Sequence, residues 1–75
     1  MSKYKWVKIG SCDWTCELSN GDTLRVERMN RNWVWWCFHS NGNSFHCYEN
    51  DDIQRTINSA KLAVESSYKK YIQVV

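Results

Sequence analysis

Between Trp33 and Tyr48 the chain reads WVWWCFHSNGNSFHCY, two aromatic-rich apolar runs on either side of Asn41-Gly42. Asn and Gly take positive φ at little steric cost, so Asn-Gly between apolar runs is a strong hairpin signal and predicts a two-residue type I′ loop. Counting outward from that loop, Ser40 faces Asn43, His39 faces Ser44, Phe38 faces Phe45, Cys37 faces His46, Trp36 faces Cys47 and Trp35 faces Tyr48. Successive side chains point to opposite faces of a strand. Val34, Trp36, Phe38, Phe45 and Cys47 then share one face, expected to be core. Trp33, Trp35, Cys37, His39, His46 and Tyr48 share the other, which is aromatic but studded with polar groups, as a binding surface would be.

A chain of 75 residues makes one domain, 1–75, with a thin core. Five Trp, four Tyr and two Phe offset this, since each aromatic can remove about 150–250 Å² from water. The formal charge of +2 is too balanced to announce nucleic acid or an anionic membrane as a partner. Four cysteines, at 12, 16, 37 and 47, could form a disulfide scaffold, but MSKYKWVKIG contains no apolar signal segment. A reducing, cytoplasmic setting is therefore expected. No apolar run approaches the roughly 20 residues needed to cross a bilayer, which argues against a membrane partner.

Along the chain, residues 4–9 (YKWVKI) predict a first strand, followed by a turn or bulge at Gly10. SCDWTCEL alternates cleanly, with Cys12, Trp14, Cys16 and Leu18 opposite Ser11, Asp13, Thr15 and Glu17 in facing. An odd loop at Asn20-Gly21-Asp22 matches the apolar faces by pairing Leu18 with Leu24 and Cys16 with Val26. Residues 23–29 form the third strand, and Asn30-Arg31-Asn32 turns into the aromatic hairpin. Glu49, Asn50, Asp51 and Asp52 supply caps and first-turn carboxylates for a helix over about 51–70. Its apolar stripe is Ile53, Ile57, Ala60, Val64, Tyr68 and Tyr71; Leu62 falls on the opposite side, and YIQVV either frays or adds an edge strand. The fold class expected is α+β: an antiparallel meander of four strands, or five, with one C-terminal helix on one face.

With one face covered, Trp33, Trp35 and Tyr48 would lie exposed beside Thr15, Glu17, Arg25 and Glu27, and contiguous exposed aromatics commonly mark an interaction surface. The competing expectation is that strand 33–39 is covered on both sides, by the helix on one and by Tyr4 and Trp6 on the other. Cys37, His39 and His46 raise the question of zinc, but structural zinc usually takes tight C-x₂₋₄-C knuckles. Cys12 and Cys16 sit in one strand on the order of 13 Å apart. No metal or cofactor is expected. A Cys37–His46 nucleophile pair lacks an orienting group and a pocket, so no catalysis is expected.

Ala60-Lys61, Ala63 and Glu65 form an AK-x-A-x-E helix segment behind a sheet with a W-x-x-x-L strand. Over residues 12–68 this resembles the sheet-reading DNA-binding domains of plant AP2 factors and the arm-binding domains of tyrosine recombinases. That resemblance implies Arg and Trp on the open face against phosphates and bases, whereas Asp13, Glu17 and Glu27 would there repel phosphate. In size, aromatic richness and lack of a catalytic signature the chain also resembles the small accessory proteins of phages and mobile elements, anti-CRISPR and other anti-defence proteins among them. The expectation is a non-enzymatic intracellular binding module that inhibits a partner protein by occupying its surface. Trp33, Trp35 and Tyr48 would be its anchors, and Arg25, His39 and His46 its polar rim. Nucleic acid on the same face, or a homodimer burying it, are the alternatives.

Overall fold

A computed structural model describes residues 4–47 and 52–74, with side chains as far as residue 70. Five antiparallel strands follow one another in a meander: β1 (Val7–Lys8), β2 (Asp13–Glu17), β3 (Thr23–Met29), β4 (Asn32–Phe38) and β5 (Ser44–His46). One helix, α1 (Ile57–Val74), packs on one face, chiefly over β3 and β4. The α+β meander with a single covering helix is thus the architecture that the alternation and the helical stripe predict. Among the described residues no helix is long and apolar enough to cross a membrane.

The loops decide which face each strand presents. Ser-Asn-Gly occurs twice, at 19–21 and 40–42, and both copies fold alike. Each glycine lies in the left-handed region, Gly21 at φ 93° and Gly42 at 95°, and donates its amide to the residue before the loop, Leu18 or His39, at 3.0 Å. Each asparagine side chain accepts the amide two residues on, Asp22 or Asn43, at 3.0 Å. These are three-residue loops closed by a left-handed glycine, the next commonest hairpin connection after the two-residue types. The β4–β5 loop is therefore one residue longer than the two-residue reading. Its register pairs Trp36 with His46, Cys37 with Phe45 and Phe38 with Ser44. Between β3 and β4 the loop is shorter than expected: Asn30, at φ 60°, and Arg31 form it alone, and Asn32 already pairs with Met29.

A one-residue slip turns every side chain of a strand to the other face. The slip before β4 therefore inverts β4: Trp35 lies opposite Val26 and Cys37 opposite Leu24, on the helix side. The opposite slip before β5 restores that strand, so Phe45 and Cys47 face the core as expected. At the β2–β3 loop the register moves by two residues, pairing Cys16 with Leu24 and Trp14 with Val26, which leaves the faces unchanged.

The core between sheet and helix holds Tyr4, Cys16, Leu24, Val26, Trp35, Cys37, Cys47, Ala60, Val64 and Tyr68. Trp35 is its largest fully buried member; its ring meets Phe45 edge-on at 5.9 Å and its Nε1 donates to the Asp52 carbonyl at 3.2 Å. Tyr4 and Trp6 do not cover the second face of β4. They sit on the helix side at the far edge, where Trp6 Nε1 donates to Glu65.

The helix starts at Ile57, not near Asp51, because two other arrangements use the intervening backbone. Gln54 exchanges both backbone bonds with Trp33, at 2.7 and 3.0 Å, continuing the sheet where β5 does not reach. Asp52 accepts a bond from the Gln54 side chain instead of capping a helix. Thr56 is the cap: its Oγ1 accepts the Ser59 amide at 3.1 Å and its carbonyl the Ala60 amide at 3.1 Å. Glu49, Asn50 and Asp51 lie outside the described residues. Ile57, Ala60, Val64 and Tyr68 form the inward stripe as expected, Leu62 is exposed, and Ile53 lies outside the helix. The helix continues through the segment expected to fray.

Trp35→Ala should cost about 3–5 kcal/mol in urea unfolding, comparable to the whole stability of about 4–11 kcal/mol expected for a domain of this size. The two loop glycines should differ in the same measurement although their backbones match. Gly42→Ala should cost about 1–2 kcal/mol for the left-handed conformation alone. Gly21→Ala should cost more, because its Cβ would also stand 3.1 Å from Ser40 Cβ.

Candidate functional site

Two groupings of side chains could carry function, one buried between the loops and one spread over the sheet face that the helix leaves uncovered. The buried one centres on Asp22, which the first Ser-Asn-Gly loop delivers beneath the second. Its Oδ2 accepts the Tyr68 hydroxyl at 2.6 Å and Asn20 Nδ2 at 3.2 Å, and lies 3.4 Å from His39 Nδ1. Its Oδ1 accepts the Ser40 amide at 2.8 Å. Burial by itself would raise the carboxyl pKa, but the bonds from Tyr68, the Ser40 amide and His39 outweigh it and hold Asp22 below its usual 3.8. Tyr68 is pushed up in turn, by burial first and by the Asp22 carboxylate second.

On the other side of the imidazole, His39 Nε2 stands 3.8 Å from Cys37 Sγ. The order acid, imidazole, thiol is that of an activated nucleophile, yet Cys37 has no exposed surface and its pKa is pushed up to about 12, by burial and then by Asp22. A neutral, enclosed thiol offers no nucleophile to a substrate. One carboxylate joins the β2–β3 loop, the β4–β5 loop and α1.

The uncovered face is built by register. Val7, Thr15, Arg25, Trp36 and His46 form one row across all five strands. Asp13, Glu27 and Val34 form the row on one side of it, and Glu17, Thr23, Phe38 and Ser44 the row on the other. Val34, Trp36 and Phe38 thus make an apolar stripe along β4. Phe38 is 42% exposed, Trp36 is half-buried and Val34 is buried. Ile53, which alternation from the Trp33–Gln54 bridge places beside Val34, is 40% exposed. Of the large exposed hydrophobic residues, Val7, Met29, Phe38 and Ile53 fall on this face, whereas Leu62 stands on the outer side of the helix. Toward β2 the face becomes acidic, with Asp13, Glu17 and Glu27 around Arg25, whose Nη2 lies 3.7 Å from Asp13.

Of the site residues expected from sequence, Arg25 and His46 lie on the uncovered face. Trp35 and His39 are buried on the helix side, and Trp33 is half-buried against the core there; the β4 slip moved all three. Tyr48 lies outside the described residues. Cys37 faces Phe45, not His46, and His46 sits on the opposite face from Cys37 and His39, so the three do not converge. Among the described residues no three His, Cys, Asp or Glu side chains are placed to hold a metal ion. Trp36 and Phe38 take the places expected of Trp33 and Trp35. WVWW is apolar on both faces, so only the loop lengths could have told them apart.

Asp22→Asn keeps the shape of the carboxylate but not its charge, and should lower stability by about 2 kcal/mol at neutral pH. The deficit should shrink below about pH 4. A carboxyl held below 3.8 stabilises the fold fully above the unfolded pKa, and that contribution is lost as pH falls through the folded one. Urea unfolding of both proteins across that range checks the sign.

Compared with known proteins, the chain matches no family model, no curated protein and no solved structure.

Proposed function

We propose that this chain is a non-enzymatic binding module that occupies the surface of a partner protein with its uncovered sheet face, inhibiting whatever that surface does. The observation that carries this reading is the pair Trp36 and Phe38, half-buried and 42% exposed, on the side of the sheet away from α1. Trp and Tyr are enriched among interface hot spots, and a ring already held in a strand loses little freedom on docking. Trp36 and Phe38 are the anchors of this reading, with Arg25 and His46 beside them as the polar rim. Both edge strands are short, two residues in β1 and three in β5, which favours docking by the face over addition of a strand at an edge.

Charge separates a protein partner from nucleic acid. Three carboxylates, Asp13, Glu17 and Glu27, share the face with Arg25, and phosphates would be repelled where a sheet-reading DNA-binding domain attracts them. The same acids suit a partner whose contact surface is basic. A reducing intracellular setting agrees with Cys12, Cys16, Cys37 and Cys47 all being free thiols.

Affinity capture from a lysate of the source cells, with and without nuclease, tests the reading when the wild type is run beside Trp36→Ala and Leu62→Ala. A nuclease-resistant protein held by the wild type and by Leu62→Ala, but bound at least about 2 kcal/mol more weakly by folded Trp36→Ala, is the expected result. Capture of nucleic acid alone overturns it, as does a partner indifferent to Trp36. A wild type that sediments as a dimer, with Trp36→Ala monomeric, assigns the face to a second copy of the chain.

A further inference from the structure

On the helix side of the sheet, at its β1 edge, Trp6 and Trp14 present their rings to one cation. Lys61 Nζ lies 3.9 Å from the centre of the Trp14 ring and 5.7 Å from that of Trp6. Glu65, one turn further along α1, accepts the Trp6 indole N–H at 2.7 Å, which fixes both the ring and the carboxylate. All four side chains are half-buried, at the border between core and solvent. Two indole faces with a carboxylate alongside are the parts of an aromatic cage, the arrangement that recognises quaternary ammonium groups.

We infer that Trp6, Trp14 and Glu65 form a binding site for a methylated ammonium group, which the chain's own Lys61 keeps closed. Hydration and contact area set the preference. A primary ammonium is a compact, strongly hydrated point charge, and pressing it against indole faces removes water that the rings replace poorly. A methylated ammonium spreads the same charge over methyl groups, gives up less hydration and covers more of each ring. Lys61 has a flexible stem and is only half-buried, so it can swing into solvent while Ala60 and Val64, its fully buried helix neighbours, keep α1 seated. The site lies across the sheet from Trp36 and Phe38 and is independent of the interface proposed above.

The test is a titration with tetramethylammonium chloride, reading the indole N–H resonances of Trp6 and Trp14, on the wild type and on Lys61→Ala. Alanine is the best helix former, so the variant retains α1. The expected result is saturable shifts of both indoles, with the ion binding at least tenfold more tightly to Lys61→Ala, and weakened again when Glu65→Gln is added. A peptide bearing trimethyllysine, run in parallel, separates the two sources of this chemistry: tighter binding than the free ion assigns the site to a modified side chain, equal or weaker binding to a small free cation. No saturable shift in Lys61→Ala, equal affinity in both proteins, or the same shifts from sodium chloride at matched ionic strength overturns the proposal. Should the variant not fold, the wild type titrated to tenfold higher concentration decides the matter: saturable shifts of both indoles support the site, and their absence overturns it.

Discussion

One carboxylate links three parts of this molecule that share no backbone bond. Asp22 is held in the first Ser-Asn-Gly loop, takes the amide of Ser40 in the second, and takes the hydroxyl of Tyr68 from the helix. Leaving a buried carboxylate unpaired is costly, whereas hydrogen bonds to a charged acceptor are among the stronger ones in a protein. The two loops therefore close in mutually consistent positions, with Gly21 against Ser40 where a larger residue would not fit. That position places the C-terminal ends of β2 and β4 on either side of the start of β3, and Tyr68 ties the helix to that end of the sheet.

From this arrangement the division of the sheet into two unlike faces follows. A single helix can cover one face, and it takes the one carrying Leu24, Val26, Trp35 and Cys37, all fully buried. The chain has no second helix among the described residues to lay over the other, so Trp36, Phe38 and Val7 remain beside water. The acids around Arg25 add a sign to the surface, and sign governs which partners approach. The border between the faces is chemically distinct again: Lys61, Trp6, Trp14 and Glu65 close the rim of the core with charge held against aromatic rings.

Much of this was legible in the residues. The strict alternation of Cys12 to Leu18 marked β2, and the turn residues on either side of 23–29 marked β3; their buried faces agree with that reading because the β2–β3 register moved by an even number. The stripe Ile57, Ala60, Val64 and Tyr68 marked the helix. Its start was not legible, because Asp51 and Asp52 have the composition of caps while Thr56 performs the capping, after Gln54 has paired with Trp33. The candidate surface was legible as a kind, an uncovered aromatic sheet face bearing Arg25 and His46, but not in its anchors. Asn-Gly fits both a two-residue loop and the end of a three-residue one, and Asn30-Arg31-Asn32 has turn chemistry at every position. In β4 either face is apolar enough to be core.

The amino-acid sequence by itself determined the elements, their order and the chemistry each strand carries on its two sides, because these depend on local spacing, on turn-forming residues and on periods of two and 3.6. Only the tertiary structure decided which side of β4 turns inward. That choice rests on the parity of two loops, one residue in each, and what settles it is long-range: the Asp22 bonds that hold the β4–β5 loop against the β2–β3 loop, and a helix whose buried stripe accepts Trp35 and leaves Trp36 outside.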